Sequence, residues 1–477
     1  MSSEPPSEGG LWSPERRSLT VGLVLTITLV AFEALAVSTV MPIVARELGD
    51  YDLYGWVFTA FMLGSLIGIV VSGGLIDRSG LGVPFAIGLG LFTIGLVVGG
   101  LAPDMWVLVI ARFIQGLGAG MVPPIAYVAI GRSLPERLRP QMFATLSTAW
   151  VLPGVIGPAI AGAVGETIGW RFVFLGLLPL IGIAAGISFR SVNRIGPPPT
   201  PVARSAEAAA SASLRRRLPL AGYVALGTGL WLAGLTVGQP VALIVLVIVG
   251  GAIALPAIRR LTPPGTLRAA RGLPTAVLMR GILTFTFFGV DAYVALTLVE
   301  WRGLSATQAG ISLTAATLTW TAGAWIQSRW ARRFAPETFV RSGLAVVVVG
   351  LSLFAIVLVP TVTPWLAVPT FAIAGLGMGL AYSPLTLIVL REAPTEEQGS
   401  ASAALSLMDS LGTALGTGVT GAIVAAAVRT TGEPVAGLAL GFAVAVVVGL
   451  IGLVLSVRLR GARRRREAPS SAAPAPS

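Results

Sequence analysis

The feature that most constrains this chain is a series of apolar stretches, each about 20 residues long, separated by short polar connections. A helix needs this length to span the hydrocarbon core of a membrane. Charged residues make up only 11% of the chain, against about 25% in soluble domains, and the mean hydropathy is +0.85. The sequence therefore predicts an all-α polytopic membrane protein with fourteen spanning helices, over residues 19–45, 56–76, 84–102, 105–130, 141–164, 172–187, 220–237, 241–258, 273–299, 305–328, 339–359, 365–390, 401–427 and 435–457.

These stretches fall into groups of six, two and six. We predict seven parts in chain order: an N-terminal tail (1–18), a six-helix bundle (19–187), a linker (188–219), an inserted helix pair (220–258), a second linker (259–272), a second six-helix bundle (273–457) and a basic C-terminal tail (458–477).

Arginine supplies all 33 basic residues, because the chain contains no lysine and no histidine. Cytoplasmic loops retain arginine, whereas exported loops lose it. With both termini in the cytoplasm, 28 arginines lie on that side, 4 lie outside and 1, Arg112, lies within a helix. We therefore predict a protein of the bacterial inner membrane with both termini cytoplasmic. The net charge of +12 is explained by this orientation and by contact with anionic membrane lipid, and nucleic acid is not an expected partner.

The absent residue types exclude much of enzyme chemistry. A chain without cysteine or histidine has no thiolate nucleophile, no histidine-based triad, no disulfide and no zinc or haem site with the usual ligands. We expect no catalytic residue, no metal and no cofactor. Any proton chemistry must use carboxyl groups.

The two predicted bundles share a pattern of glycines. Gly116 and Gly120 recur as Gly375 and Gly379, each 259 positions further on. Both pairs have the GxxxG spacing that lets two membrane helices approach closely. Because both bundles begin in the cytoplasm, they are related by an axis along the membrane normal. Parallel halves around a site at the midplane are one plan of secondary transporters.

Ionisable residues inside predicted helices are few: Glu33, Arg112, Asp291 and Asp409. Such groups are costly in a bilayer and usually face a polar space or a partner. Glu33 and Asp291 are 258 positions apart, and a carboxyl group that alternates between two environments can carry a proton. Arg112 is interpreted as a counter-charge for Glu33, or as a fixed tie to carbonyl groups or to Gln115. Asp409 and Trp150 hold equivalent positions and are expected to face the same space.

A purely structural role, in which the carboxyl group is permanently paired or hydrogen-bonded, is the alternative for each of these acids.

Two further segments are candidates for conformational change. Asp77 and Arg78 lie in a turn between Gly73 and Gly80, where they can bond neighbouring helix ends, or where they form an ordinary polar turn. Gly157 and Pro158 predict a break within the fifth helix, as a hinge or as a tolerated proline.

Together these motifs resemble the major facilitator superfamily, and within it the fourteen-spanner drug:proton antiporters. The resemblance rests on the 73–80 loop, on Arg112 with Gln115 to Gly120, on Pro153 to Gly162, and on Glu33 nine positions before Pro42. It departs from the family at Leu81 and Gly82, which replace a basic pair, and in the degenerate second-half copy of the loop, where Gln327 stands near the expected acid.

The resemblance implies a major facilitator fold and proton-coupled efflux of amphipathic or cationic drugs by alternating access, with antibiotic resistance as its consequence. Protons, an amphipathic small molecule and membrane lipids are the implied partners of a monomer. Glu33, Asp291, Asp409, Arg112 and Trp150 would line the path. Gating would fall to Asp77, Arg78, Gly73, Gly80, Gln115, Gly157 and Pro158.

Other functions stay open from the sequence. Export of a lipid or a cell-envelope precursor would use the same plan. An intramembrane aspartyl protease would need Asp291 and Asp409 close enough to share a proton, which a duplicated bundle does not predict. A passive channel is disfavoured, because the chain contains no repeated filter loop.

Overall fold

The computed structural model describes residues 10–49, 54–149, 151–193, 195, 218–231, 233–234, 239–304 and 306–460. Within these ranges the chain is helical, with no strand. The helices are α1 Pro14–Leu48, α2 Tyr54–Ser79, α3 Gly82–Gly100, α4 Met105–Ser133, α5 Arg139–Thr148, α6 Val151–Val164, α7 Arg171–Leu175, α8 Leu178–Asn193, α9 Leu218–Trp231, α10 Pro240–Leu261, α11 Leu273–Leu296, α12 Ala306–Trp330, α13 Pro336–Ala355, α14 Ala367–Glu392, α15 Gln398–Thr431 and α16 Val435–Leu455.

Eleven spans in the described part of the chain are long and apolar enough to cross a membrane. The prediction of an all-helical membrane protein is confirmed. Helix α9 is shorter than a span, and α5 and α6 are separate helices on either side of residue 150. Helix α12 is long enough but carries many threonine and tryptophan residues, which lower its hydropathy. The count of fourteen therefore stays a prediction.

The repeated glycines mark equivalent helix crossings. Gly116 on α4 lies so close to α2 that an added Cβ atom would be 2.1 Å from the Phe61 carbonyl oxygen. Its counterpart Gly375 on α14 approaches α12 equally closely, at 2.2 Å from the Ala316 carbonyl oxygen. No other residue type fits such a crossing without moving the backbone. The GxxxG spacing thus specifies α2 against α4 in the first repeat and α12 against α14 in the second.

Helices α1 to α8, the N-terminal group, and α11 to α16, the C-terminal group, present both described chain ends on one face, which we call the terminal face. At the start of α1, Ser18 donates to the Ile187 carbonyl near the end of α8. At the start of α11, Gly272 donates through its N–H to Arg458, just beyond α16. The end of α2 meets the start of α15 on this same face. The opposite face is called the far face.

Each group has its own apolar core. Phe92, Trp170 and Phe174 are buried in the N-terminal group. Phe354 and Phe371 pack with ring centroids 5.5 Å apart in the C-terminal group. Burial of such large side chains holds each group together internally.

Helices α9 and α10 pack tightly on each other. An added Cβ atom on Gly227 of α9 would lie 2.5 Å from the Gly250 carbonyl oxygen of α10, and Trp231 donates to the Val247 carbonyl at 2.8 Å. Gly229 lies against Leu63, which places the pair beside α2.

The predicted break at Gly157 and Pro158, as a hinge or as a tolerated proline, stays a prediction. Helix α6 continues through both residues, and the helical path is interrupted earlier, at the turn residue Ala149. A membrane helix tolerates a proline because adjacent turns and neighbouring helices compensate for the single lost hydrogen bond.

Candidate functional site

Glu33 and Arg112 form an ion pair inside the N-terminal group. Arg112 Nη1 on α4 contacts Glu33 Oε1 on α1, and the two side chains are 1% and 3% exposed for Glu33 and Arg112 respectively. The same Nη1 donates to Gln115 Oε1 at 2.7 Å, one turn along α4. The guanidinium lies 4.3 Å from the centroid of the Phe61 ring on α2. Arg112 thus contacts Glu33 and Gln115 together, the two partners that the sequence offered as alternatives.

This ion pair is shielded from solvent, but its hydrogen-bonding capacity is not fully used. Among the described atoms, Glu33 Oε2 and Arg112 Nε are buried without a hydrogen-bond partner. A buried ion pair offsets its desolvation cost only through close mutual attraction, so removal of one partner leaves an uncompensated charge. The pair is therefore sensitive to neutralisation of either member.

A second ion pair joins the buried Arg280 on α11 to the partly exposed Asp409 on α15. Arg280 Nη1 lies 3.5 Å from Asp409 Oδ1, and its guanidinium stacks 3.6 Å from the centroid of the Tyr382 ring on α14. Nη2 of the same arginine donates to the Tyr382 carbonyl at 2.9 Å and to Thr386 Oγ1 at 2.5 Å. The Tyr382 hydroxyl donates to Asp409 Oδ2 at 3.1 Å. Arg280 is thus fixed by two neighbouring helices.

Arg280 corrects the sequence interpretation, in which Arg112 is the one arginine inside a helix. Arg280 lies seven residues after Leu273, where α11 begins, and is fully buried. Its depth of about 10 Å follows from the helical rise and is the signal that could have identified it.

Asp291 differs from both paired acids. It lies on α11 and is partly exposed, and within the described ranges it makes no hydrogen bond and no ion pair. None of the described contacts joins it to Asp409. Since Asp409 is bonded to Arg280 and Tyr382, these two acids do not form the proton-sharing dyad that an aspartyl protease requires.

An aromatic cluster lies next to these acids. Phe287 and Phe288, one turn before Asp291 on α11, have ring centroids 5.6 Å and 6.2 Å from that of Trp320 on α12. Trp320 in turn lies 5.4 Å from the Tyr382 ring. Aromatic faces near a carboxylate form a surface suited to an amphipathic cation.

At the terminal face, Asp77 joins the two groups. Its Oδ1 accepts from the N–H of Gly399 at 3.0 Å and its Oδ2 from the N–H of Ser400 at 3.1 Å. These are N–H groups of the first turn of α15, which lack partners within the helix. Asp77 therefore caps a helix of the opposite group, where the helix dipole also favours a negative charge.

The residues around Asp77 have different roles. Arg132, at the end of α4, lies 4.0 Å from Asp77, whereas Arg78 is exposed and has no described partner. Gly73, Asp77 and Arg78 lie in the last two turns of α2 and not in a loop as the sequence suggested, and Gly80 follows the helix with φ +74°, a backbone conformation that favours glycine. Gly73 packs directly on α15, where an added Cβ atom would lie 2.6 Å from Ala403 Cβ. The basic residue near Asp77 is thus Arg132, which the sequence did not indicate.

A second contact closes the terminal face between α5 and α12. Trp325 Nε1 donates to Thr148 Oγ1 at 3.0 Å. Gln327, near the position of the expected second acid, is buried, and its Oε1 is unpaired among the described atoms. We call the contacts between the two groups on the terminal face the seam. The seam is charged beside α2, where Asp77 lies, and neutral beside α12. Trp150 lies outside the described residues.

The Asp77 cap makes opening of the terminal face testable. We expect Asp77→Ala to raise the rate at which a maleimide labels Cys in the Ser402→Cys variant by about 2- to 30-fold, since loss of a cap costs about 0.5–2 kcal/mol. Ser402 is buried on α15, and the chain has no native cysteine.

Asp104→Ala is the matched control, because Asp104 caps α4 within its own group at the far face. Equal labelling rates in the two alanine variants would contradict the assignment of Asp77 to the seam.

Ionisable side chains inside membrane-length helices mark the substrate and ion pathways of membrane transporters. A sequence profile of the Major Facilitator Superfamily matches residues 23–417, and the chain belongs to this superfamily.

Two curated relatives cover most of the chain. The multidrug transporter protein MdtP of Bacillus subtilis is 25% identical over 415 residues, which are 86% of this chain and 75% of the relative. The methylenomycin A resistance protein of Streptomyces coelicolor is 24% identical over 437 residues, which are 87% of this chain and 86% of the relative.

Among solved structures, the proton:xylose symporter XylE superposes with a TM-score of 0.66 at 13% identity, over 93% of this chain and 96% of that one. At this identity the likeness shows the fold alone. The chain is a multi-pass membrane transporter for small molecules.

Proposed function

We propose that the protein is a proton-coupled exporter of amphipathic or cationic organic compounds, working by alternating access between the N-terminal and C-terminal groups. The buried Glu33–Arg112–Gln115 constellation is the observation that carries this proposal. The names of the relatives, one a multidrug transporter and one an antibiotic resistance protein, support the direction and class of transport.

The chemistry of Glu33 supports proton coupling. An ionised Glu33 holds Arg112, whereas a protonated Glu33 releases most of this attraction and leaves Arg112 to Gln115 and the Phe61 ring. Neutralisation of Glu33 thus weakens the contact of α4 with α1 and leaves its contact with α2. A proton at Glu33 can in this way bias the position of α1 relative to α4.

Asp291 and the aromatic cluster support the substrate class. A carboxylate without a described counter-charge attracts a cation, and the partly exposed Phe288 and Trp320 provide apolar surface near it. A proton and a cationic substrate would compete for this group, and such competition is what exchange of one for the other requires.

The position of the chain ends gives the protein an orientation in the membrane. The terminal face lies in the cytoplasm of a bacterial inner membrane, with the protein acting as a monomer of two six-helix halves and an inserted pair. In the described state the Asp77 cap and the Trp325–Thr148 bond close this face. Substrate would then have access from the far face, on the outside of the cell.

Transport in proteoliposomes tests the proposed function. Vesicles that hold the purified protein and have an acidic lumen should accumulate tetraphenylphosphonium, and an uncoupler should abolish this accumulation. Accumulation that is unchanged after the uncoupler, or absent for every cation tried while a neutral lipid is moved, would contradict the proposal.

A further inference from the structure

Exposed arginines of the C-terminal group lie together at one corner of the terminal face, and we call Arg268, Arg271, Arg341 and Arg458 the arginine cluster. They come from the connection before α11, the second turn of α13 and the short helical turn that follows α16. Among the described residues, none of these arginines forms an ion pair with an acid. Glu337, one turn before Arg341, bonds to Arg391 instead. The cluster therefore keeps its positive charge within the described part of the chain.

Hydrogen bonds hold the three chain segments of the arginine cluster together. Just before α11, Gly272 donates its N–H to the Arg458 carbonyl at 3.0 Å. Arg458 Nη1 in turn donates to the Arg268 carbonyl at 3.3 Å. On α13, Arg341 Nε donates to Ser456 Oγ at 3.3 Å, in the same helical turn as Arg458. The arginines therefore share one fixed surface, and an anion bound there would relieve their mutual repulsion.

An apolar strip runs from the arginine cluster toward the far face. It is formed by exposed side chains of α13 and α16, namely Val349, Leu353, Leu450, Ile451, Val454 and Val457. Val454 and Val457, which precede Arg458 in the sequence, are 73% and 64% exposed. The two helices are in direct contact, because an added Cβ atom on Gly452 of α16 would lie 2.8 Å from Leu344 Cδ2 of α13. In a bilayer the strip lies at the depth of the acyl chains and the cluster at the depth of the headgroups.

An anionic phospholipid fits both parts of this surface. Guanidinium groups bind phosphate oxygens through paired, charge-assisted hydrogen bonds. Acyl chains would cover the apolar strip, which a soluble phosphate compound would leave exposed. A zwitterionic headgroup is disfavoured, because its ammonium group would add positive charge to the cluster. Each arginine near an anionic headgroup strengthens binding by about fivefold.

We propose that the arginine cluster and the apolar strip form a binding site for one anionic phospholipid, with the headgroup phosphate on the guanidinium groups and the acyl chains along α13 and α16. A lipid bound there connects the starts of α11 and α13 to the end of α16, and so stabilises this corner of the C-terminal group. Binding at this site does not depend on proton coupling or on the class of substrate.

Fluorescence quenching beside the cluster tests the lipid site. The chain has no native cysteine, so Ser342→Cys provides a single thiol for a bimane fluorophore at an exposed position of α13. The labelled protein is reconstituted in mixtures of phosphatidylcholine and phosphatidylglycerol, with bromine on the acyl chains of one lipid at a time. Quenching at each composition gives the relative affinity of the two lipids at this position. We expect phosphatidylglycerol to bind about 25-fold more tightly, the combined effect of two arginines on one phosphate.

Replacement of arginines in the cluster should reduce this preference. We expect Arg271→Gln and Arg341→Gln each to lower it by about fivefold. Arg271 forms no side-chain hydrogen bond with another described residue, so its replacement removes charge and leaves the described contacts of the fold in place. Arg341→Lys keeps the charge and should keep most of the preference. Arg137→Gln is the matched control, because Arg137 is exposed on the terminal face of the N-terminal group.

Three results would overturn the lipid site. The first is equal quenching by the two lipids without any arginine substitution, and the second is an equal effect of Arg271→Gln and Arg137→Gln. The third is displacement of phosphatidylglycerol by glycerol 3-phosphate, which would assign the cluster to a soluble phosphate compound. The measurement uses neither substrate nor a proton gradient, so its outcome is separate from that of the transport experiment.

Discussion

Glu33→Gln should abolish accumulation of a cationic substrate driven by a pH gradient, with a loss of at least about tenfold, equivalent to about 1.4 kcal/mol or more of coupling free energy. Glutamine has nearly the shape of glutamate and can still accept a hydrogen bond from Arg112, but it cannot bind and release a proton. The measurement is uptake into vesicles with an acidic lumen, at equal amounts of reconstituted protein.

Glu47→Gln is the control for this variant. Glu47 lies on the same helix, is half exposed and is bonded to Arg171 and Trp170 at the far face, away from the buried pair. It should transport like the wild type. Gradient-driven uptake in Glu33→Gln at the wild-type rate would remove Glu33 from the coupling mechanism.

Arg112→Met is expected to cause the largest loss of stability, by about 3–5 kcal/mol, because it leaves the Glu33 carboxylate buried without its counter-charge. Methionine keeps much of the arginine volume, so the loss reports on charge more than on packing. The measurement is the midpoint of thermal unfolding in detergent at a fixed heating rate. Arg171→Met is the exposed comparison and should cost less than about 1 kcal/mol.

The double variant distinguishes lost charge pairing from lost shape. Glu33→Gln combined with Arg112→Met removes both charges, and should recover most of the stability without recovering transport. If the double variant is as unstable as Arg112→Met alone, the interaction between the two charges is not the source of the loss.

The length of the apolar stretches and the spacing of the glycines predicted much of the fold from the sequence. Gly116 and Gly375 mark equivalent crossings because GxxxG spacing has a direct steric meaning in a membrane helix. The helical rise also placed Glu33 and Arg112 at similar depths in the membrane. An ion pair between them was therefore one of the predicted alternatives. Proline left two interpretations open, a hinge or a tolerated residue, and α6 is helical through Pro158.

The other contacts of the candidate site could not be predicted, because they depend on how each helix is rotated about its axis and on which side chains then face each other. Arg280 lies near the start of its helix, and an arginine there is usually cytoplasmic, although this side chain points inward to Asp409. Tyr127 of α4 packs against an apolar core formed mostly by the C-terminal group, and no local pattern predicts this contact. Likewise, Arg132 lies near Asp77 because α4 ends beside α2, and the adjacent Arg78 points to solvent.

The asymmetric seam suggests how the departures from the family pattern are accommodated. Asp77 provides a charged cap for α15, while the corresponding region near Gln327 uses Trp325 and a neutral hydrogen bond to Thr148. We expect charge changes to affect the α2 side of the seam more than the α12 side. The neutral contact between α5 and α12 then stays fixed while the charged contact between α2 and α15 opens.

Proton movement caused by substrate alone tests the central claim most directly. Wild-type vesicles with equal pH on both sides, loaded with a pH-sensitive dye in the lumen, receive a gradient of tetraphenylphosphonium with the membrane potential clamped. Inward movement of the cation should drive protons out and raise the pH of the lumen, and Glu33→Gln should abolish this change. Cation entry without a change of pH, or with protons moving in the same direction, would contradict proton-coupled exchange.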